Sequence, residues 1–210
     1  MNKLGHISRV NTLAWCLIFG LSSLAFGQGV ADNRYQKISN SGFTVTAAVG
    51  LGPDPAQWAC TLDRTTDLLW EIKTEDPRHL RFSGHRYTWF DAATESGVRG
   101  NPLTCSNSLG SQPCNTAAFI AAVNAANLCG HNDWRLPTLQ ELQSILDPME
   151  SAPAMNPEFF PNTPSTFFWT GTPYPDSTSQ TWYVHVGTAF SYGNASRSSN
   201  RNVRLVRGGR

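Results

Sequence analysis

The clearest hydrophobic pattern in the chain is helical and lies between residues 115 and 128. Asn115 or Thr116 can cap this predicted helix, which is expected to end near Leu128, just before Gly130. The high alanine content of the segment also favours a helix. Its buried face is predicted from apolar residues at helical spacing: Phe119, Ile120, Val123 and Ala126.

A second helix is predicted to follow Pro137. Thr138 and Glu141 match the S/T-x-x-E capping box, in which the hydroxyl accepts the backbone N–H three residues on and the glutamate reaches back. Pro148 is expected to mark the end of this helix. Its apolar face is predicted to consist of Leu139, Leu142, Ile145 and Leu146.

The other periodic segments have the pattern of short strands. A polar turn at residues 63–67 predicts a hairpin, whereas residues 28–57 show no clear period and residues 151–164 form a proline-rich connection. Helices in the middle of the chain, with strands before and after them, predict an α+β fold class. Strands are predicted at residues 58–62, 68–72, 85–90, 166–170, 181–186 and 202–207.

The first 27 residues have the composition of a secretory signal peptide. Lys3 and Arg9 give a positive start, an apolar run from residue 13 to 26 follows, and Ala25 and Gly27 are the small residues of a cleavage site. The apolar run is shorter than the roughly 20 residues that span a bilayer. We therefore expect an exported protein, in the periplasm or at the cell surface, with no membrane span after cleavage. The expected organisation is a signal peptide (1–27), a partly irregular segment (28–57) and one domain (58–210).

The charge of the mature chain argues against binding to nucleic acid. Loss of Lys3 and Arg9 leaves 14 basic residues of the original 16 against 15 acidic residues, so no strong positive field remains. The charge is nevertheless uneven, because residues 187–210 contain no Asp or Glu. This segment carries Arg197, Arg201, Arg204, Arg207 and Arg210.

Four cysteines remain after cleavage, and an even number in an exported chain predicts two disulfides. Cys105 and Cys114 flank a short polar stretch and are expected to close a surface loop. Cys60 and Cys129 then pair by elimination, among three possible pairings. A zinc site is the alternative, which the lack of a C-x-x-C motif disfavours.

The block from Asp133 to Leu142 has the pattern D-W-R-L-P-T-x-x-E-L, and several shorter motifs accompany it. These motifs are Trp58-x-Cys60, Leu68-Leu69-Trp70-Glu71, Tyr87-Thr88-Trp89, Leu128-Cys129-Gly130, Phe168-Trp169-Thr170-Gly171 and Val203-Arg204-Leu205-Val206-Arg207-Gly208. In this order they resemble one bacterial exported family, typified by the C-terminal domain of the Legionella collagen-like adhesin. The resemblance covers nearly all of the mature chain, and the D-W-R-L-P-T-x-x-E-L block is its specific part.

The resemblance implies a C-type-lectin-like fold, with two helices packed on small antiparallel sheets and long loops that present the variable surface. The best-known member of the family is a trimeric adhesin that binds sulfated glycosaminoglycans. That member has a collagen-like stalk, whereas this chain has no Gly-X-Y repeat and its sequence does not define an oligomeric state. Asp67 also stands where glycine is expected in the hairpin turn, and aspartate tolerates the left-handed conformation.

The D-W-R-L-P-T block is interpreted as structural rather than catalytic. Thr138 and Glu141 are explained by helix capping, and Arg135 is expected to form an ion pair with a carboxylate. The residues assigned to this structural motif are Trp134, Arg135, Leu136, Pro137, Thr138 and Glu141.

An enzyme is the less favoured alternative. The same block also resembles formylglycine-generating-type enzymes, which bind copper through two cysteines late in the chain, and no cysteine follows Cys129. We therefore expect no catalytic residue and no cofactor. No metal site is expected either, because the usual calcium-lectin triplets are absent and the histidines are scattered.

Arginines near the C-terminus are the main sequence feature that suggests a ligand. Arg197 and Arg201 lie in a Ser/Asn-rich segment expected to be a loop, while Arg204 and Arg207 are assigned to a strand. Guanidinium groups suit sulfate and carboxylate, so the expected ligand is an anionic, sulfated polysaccharide at the cell envelope. The alternative function is that of a structural or assembly protein that binds an envelope protein. The alternative interpretation of the arginines is that they lie in a solvated loop and bind no ligand. Stacking faces for sugar rings are predicted at Tyr192, Trp182 and Trp169.

Overall fold

The strands of the domain form three separate antiparallel sheets. The computed structural model describes residues 33–106, 108–175 and 177–209, so the predicted signal peptide and Arg210 lie outside the described residues. The sheets have the strand orders β1-β2-β3-β9, β4-β5 and β6-β7-β8. The strands are β1 (Tyr35–Ser39), β2 (Trp58–Asp63), β3 (Leu68–Glu71), β4 (Phe90–Asp91), β5 (Ser96–Gly97), β6 (Phe167–Pro173), β7 (Gln180–His185), β8 (Phe190–Ser196) and β9 (Val206–Gly208).

The first sheet contains the predicted hairpin. Strands β2 and β3 pair antiparallel, with Leu62 opposite Leu69, and Asp67 takes the left-handed conformation at φ 60° in the turn between them. Strand β9 pairs with the other edge of β3, so the last described strand completes the sheet.

Strand β1 lies in the segment 28–57, where no strand was predicted from the sequence. It pairs with β2 at the edge of the first sheet, and Tyr35 packs against Phe159 and Phe160 at ring distances of 5.3 and 5.2 Å. Period-two alternation of apolar and polar residues is hidden because Lys37, which lies two residues after Tyr35 on the strand, is polar and also buried. Its ammonium lies 4.1 Å from the Trp58 ring centroid and donates to a backbone carbonyl.

Three of the strand predictions need correction. Residues 190–196 form strand β8, not a loop, although the segment is rich in Ser, Gly and Asn. Residues 202–207 are strand only from Val206, and Phe90 is the only residue of 85–90 within a strand. The remaining residues of these two segments run through the interior and pair with other segments only at isolated positions, such as Tyr87 with Arg201. Neither segment has a partner strand along its whole length.

Both predicted helices are present and shorter than expected. Helix α1 (Thr116–Ala125) is capped by Asn115, and helix α2 (Leu139–Ser144) begins at a complete Thr138 capping box. Helix α1 ends before Leu128 because Asn127 takes a left-handed conformation at φ 50°. Two short 3-10 helices, Pro102–Cys105 and Leu128–Gly130, complete the helical content, and no described helix is long and apolar enough to cross a bilayer.

The interior consists of two hydrophobic clusters, and both disulfides belong to the first. Cys60 is joined to Cys129 and Cys105 to Cys114, which is the predicted pairing. The second cluster lies between helix α2 and strands of the first and third sheets, with Leu142, Trp70 and Phe168 fully enclosed. The predicted α+β class, with two helices and small antiparallel sheets, is confirmed.

Candidate functional site

One face of the third sheet is covered by aromatic side chains. Residues directly opposite each other on paired strands share a face, and here Phe167 is opposite His185, His185 opposite Phe190, and Tyr183 opposite Tyr192. The rings of Phe167 and His185 are 4.6 Å apart, and those of Tyr183 and Tyr192 stack at 5.4 Å. We call these five side chains the aromatic face.

The aromatic face is open to solvent at its β8 edge. Phe190 is 65% and Tyr192 is 40% exposed, whereas Tyr183 on the central strand is buried. Large exposed aromatic groups at neighbouring positions often mark surfaces for contact with a partner or ligand.

Arg201 lies over the inner part of this face. Its guanidinium carbon is 3.8 Å from the Tyr183 ring centroid and 4.8 Å from that of Phe167. The backbone N–H and carbonyl of Arg201 both bond to Tyr87, at 3.0 and 2.8 Å, so the residue is held at both its backbone groups. The guanidinium is therefore fixed in position by stacking and by its backbone, rather than moving freely in a loop.

The terminal nitrogens of Arg201 are available to a ligand. Its Nε is enclosed without a partner, while Nη1 and Nη2 form no hydrogen bond within the described residues and are not enclosed. Among those residues no carboxylate forms an ion pair with Arg201. Burial lowers the pKa of this guanidinium, which nevertheless stays protonated at neutral pH. The face thus presents a fixed cation that has no counter-ion among the described residues.

Two of the predicted stacking residues do not belong to the exposed surface. Trp169 is completely buried. Its indole N–H donates to the Tyr87 carbonyl, and its ring is part of the core beneath Arg201. Trp182 points to the opposite side of the sheet, where it packs against Tyr174 at 5.4 Å. Trp169 is therefore not available to stack on a sugar ring, and Trp182 is not on the aromatic face.

Arg197 was expected in a free loop, and the structure corrects this expectation. The side chain is only 5% exposed, with its guanidinium 3.9 Å from the Trp89 ring centroid. Its Nε donates to Thr181 Oγ1 at 2.9 Å and its Nη1 donates to Ser96 Oγ. Arg197 thus packs on a different aromatic residue from Arg201, and borders a cleft of about 810 Å³ next to Tyr174. The structure does not bring the two arginines together on one aromatic surface.

The motif around Arg135 has the predicted structural geometry. The Arg135 guanidinium donates to both carboxylate oxygens of Glu141, at 2.8 and 2.7 Å, and the Thr138 N–H donates to the same carboxylate at 2.7 Å. Burial would raise the pKa of Glu141, but these hydrogen bonds hold it below its usual value. The Trp134 indole is buried and donates to the Leu128 carbonyl. These contacts hold helix α2 and the segment that leads into it in place.

Most of the aromatic face was missed from the sequence. Phe167, Tyr183 and Phe190 were not proposed as site residues, although the Phe190-x-Tyr192 and Tyr183-x-His185 spacings are the period of two that places side chains on one sheet face. That signal could have revealed strand β8. Within the described residues, no group of three or more His, Cys, Asp or Glu side chains is arranged to hold a metal ion.

Fold and site together define a disulfide-linked α+β domain whose third sheet carries exposed aromatic side chains beside Arg201. A family model described as the Lcl C-terminal domain matches residues 59–207, and the chain belongs to this family. The match spans both disulfides and agrees with the resemblance given by the motifs. A search of curated proteins found no match.

Proposed function

We propose that this protein is an exported, C-type-lectin-like recognition domain that binds anionic, sulfated polysaccharide at the cell envelope through Arg201 and the aromatic face. The observation that carries this proposal is the Arg201 guanidinium, which is stacked 3.8 Å from Tyr183 with its terminal nitrogens unpaired within the described residues. A planar guanidinium can donate two parallel hydrogen bonds to a sulfate or carboxylate group.

The surroundings of Arg201 suit a sugar polymer. Exposed rings such as Tyr192 can lie against the apolar face of a pyranose, while the tyrosine hydroxyl can bond to water or to sugar hydroxyls. Because stacking already restricts the guanidinium, less side-chain entropy is lost when the ligand binds. Residues 187–209 contain no acid that would repel a sulfate.

Compartment and fold support the same proposal. Membership of the Lcl C-terminal domain family favours a bacterial exported domain, and two disulfides fit an oxidising compartment. Two helices beside small antiparallel sheets are the elements expected of a C-type-lectin-like fold. All four cysteines in the described residues are paired in disulfides, so none of these four is a thiolate that could bind copper.

The direct test is the affinity for heparin of the Arg201→Gln variant. Loss of a charge-assisted hydrogen-bonding group is expected to weaken binding by about tenfold. Arg86→Gln is the matched control, because Arg86 is exposed, forms no ion pair in the described residues, and changes the charge by the same amount. Isothermal titration calorimetry at a fixed salt concentration measures both.

Two further results define the outcome. Arg201→Lys keeps the positive charge but loses the planar guanidinium that can donate two parallel hydrogen bonds. Its heparin affinity is therefore expected to lie between those of the wild type and Arg201→Gln. Equal heparin affinity of the Arg201→Gln and Arg86→Gln variants would show that Arg201 is not the site. Capture of a defined envelope protein, together with no signal on a glycan array, would replace the polysaccharide by a protein partner.

A further inference from the structure

A second candidate site shares no lining residue with the aromatic face. It is a pocket of about 460 Å³ beside the C-terminal end of helix α1, a size typical of small-molecule sites. Its walls are largely apolar, with Leu80, Val123 and Leu128 among them, and no Asp or Glu lines it. We call it the Arg81 pocket, after the one charged residue in its wall.

Arg81 is a buried cation with more hydrogen-bond donors than it uses within the described residues. The residue is 4% exposed, and its Nη1 donates to the backbone carbonyls of Ala59 and Ile72. Its Nε and Nη2 form no hydrogen bond within the described residues, and neither is among the enclosed atoms without a partner. These two nitrogens are therefore not completely enclosed.

His79 adds a second donor to the same wall. Its Nδ1 accepts the Arg81 backbone N–H at 3.0 Å, so the proton of the neutral ring lies on Nε2. Burial and the nearby Arg81 charge lower the pKa of His79 and keep the ring neutral at physiological pH. The pocket thus combines a guanidinium with a neutral N–H donor.

The charges behind the pocket are unbalanced. Three buried cations, Lys73, Arg81 and Arg204, surround the single carboxylate of Glu71. This carboxylate accepts from Lys73 Nζ at 2.7 Å and from the Leu205 N–H at 2.9 Å.

The charge on Arg81 therefore has no carboxylate of its own. Asp76, whose charge also acts on His79, forms its ion pair with Arg78. An excess of buried positive charge is unfavourable unless an anion compensates it.

We infer that the Arg81 pocket binds a small organic carboxylate with an apolar body. The carboxylate accepts from Arg81 and His79, and the apolar part of the ligand lies against Leu80, Val123 and Leu128. The apolar walls favour such a ligand over inorganic phosphate or sulfate, which have no apolar surface to bury. This site is independent of the polysaccharide proposed above.

The test uses benzoate as the probe and benzamide as its uncharged counterpart. Titration calorimetry of the purified protein is expected to show saturable binding of benzoate, with benzamide weaker by about tenfold or more because it carries no charge for Arg81. Equal binding of the two probes, or no binding of benzoate, would overturn the inference.

A blocking variant locates the probe without removing a structural contact. Ala126 is exposed and lines the pocket, so Ala126→Phe is expected to fill it and abolish benzoate binding. Ala125→Phe is the matched control, because Ala125 is exposed on the same helix and does not line the pocket.

Persistent binding in Ala126→Phe would place the probe elsewhere and contradict the inference. Arg201→Gln is expected to keep benzoate binding, which separates this result from the test of the polysaccharide site. Arg81→Gln is expected to lose benzoate binding, and the blocking variant decides the matter if Arg81→Gln does not fold.

Discussion

At the scale of single residues, Glu71 is a buried carboxylate that lies among buried cations. It contacts Lys73 and lies beside Arg204, which donates to its backbone carbonyl at 2.7 Å. Burial lowers the pKa of Lys73 to about 8 and that of Arg204 to about 10, and in both cases the Glu71 charge opposes the shift. The carboxylate therefore keeps these cations charged in the core.

We expect Glu71→Gln to lower the free energy of unfolding by about 3–5 kcal/mol, because it leaves the buried Lys73 without its charge partner. Urea denaturation followed by circular dichroism measures the change. Glu95→Gln is the control: its ion pair with Arg99 is exposed at both ends, so a change within about 0.5 kcal/mol is expected. Similar losses in both variants would contradict the role assigned to Glu71.

Asp63 gives a prediction for the dependence of stability on pH. Burial would raise its pKa, but hydrogen bonds from Arg34 and the Thr65 N–H outweigh this and lower it. A carboxyl group whose pKa is lower in the folded state stabilises the fold above its unfolded pKa, and this stability is lost as the pH falls through the folded pKa. Below about pH 4, the free energy of unfolding is therefore expected to fall more steeply for the wild type than for Asp63→Asn.

Denaturant titrations between pH 5 and pH 2 compare the two slopes. Arg34→Gln is expected to flatten the slope as well, because it removes the bidentate donor from Asp63. A slope that is unchanged in both variants would mean that the titration of Asp63 does not contribute to acid unfolding.

Single residues also differ in whether their place in the candidate site could be predicted from the sequence. Arg201 and Tyr192 could be named from charge and aromatic character alone, and each of them packs against Tyr183 of the third sheet. The burial of Arg197 could not be foreseen, because it depends on Trp89 and Ser96, about a hundred positions earlier in the chain. A contact between distant segments leaves no local pattern in the sequence.

At the scale of elements, the entry to helix α2 depends on the Thr138 side chain. The Glu141 N–H donates to Thr138 Oγ1 at 3.2 Å. Thr138→Ala is expected to lower the free energy of unfolding by about 1 kcal/mol, as loss of an N-cap hydroxyl does. Thr138→Ser keeps the hydroxyl and should remain within a few tenths of a kcal/mol of the wild type. A denaturation series of the three proteins tests this, and equal losses would assign the effect to the threonine methyl group.

Elements were predictable where their signal is local. The cap at Thr138 and the turn at Asp67 could be predicted because each is formed by neighbouring residues. Strand β8 was missed because Ser191 and Gly193 have low strand propensity, so the strand depends on pairing with β7. The interior segments around Tyr87 and Asn202 were predicted as strands because burial of alternate residues has the same period whether or not a sheet forms.

At the scale of the whole molecule, the two disulfides differ in the length of chain that they close. Cys60 and Cys129 are 69 residues apart, whereas Cys105 and Cys114 are 9 apart. The chain-entropy relation gives about 4 kcal/mol for the first and about 3 kcal/mol for the second. We expect the Cys60→Ser/Cys129→Ser variant to be less stable than Cys105→Ser/Cys114→Ser, as measured by the urea midpoint. The reverse order would contradict this account.

The position of strand β9 has a consequence for the order of folding. Trp70 pairs with Val206, so an edge of the first sheet stays open until nearly all of the described chain has been made. Contacts between such distant residues form late and slowly, because a long loop must close first. During export, the chain would emerge with its β2–β3 hairpin unprotected. A chaperone that binds extended hydrophobic segments would find this edge of β3 available until β9 arrives.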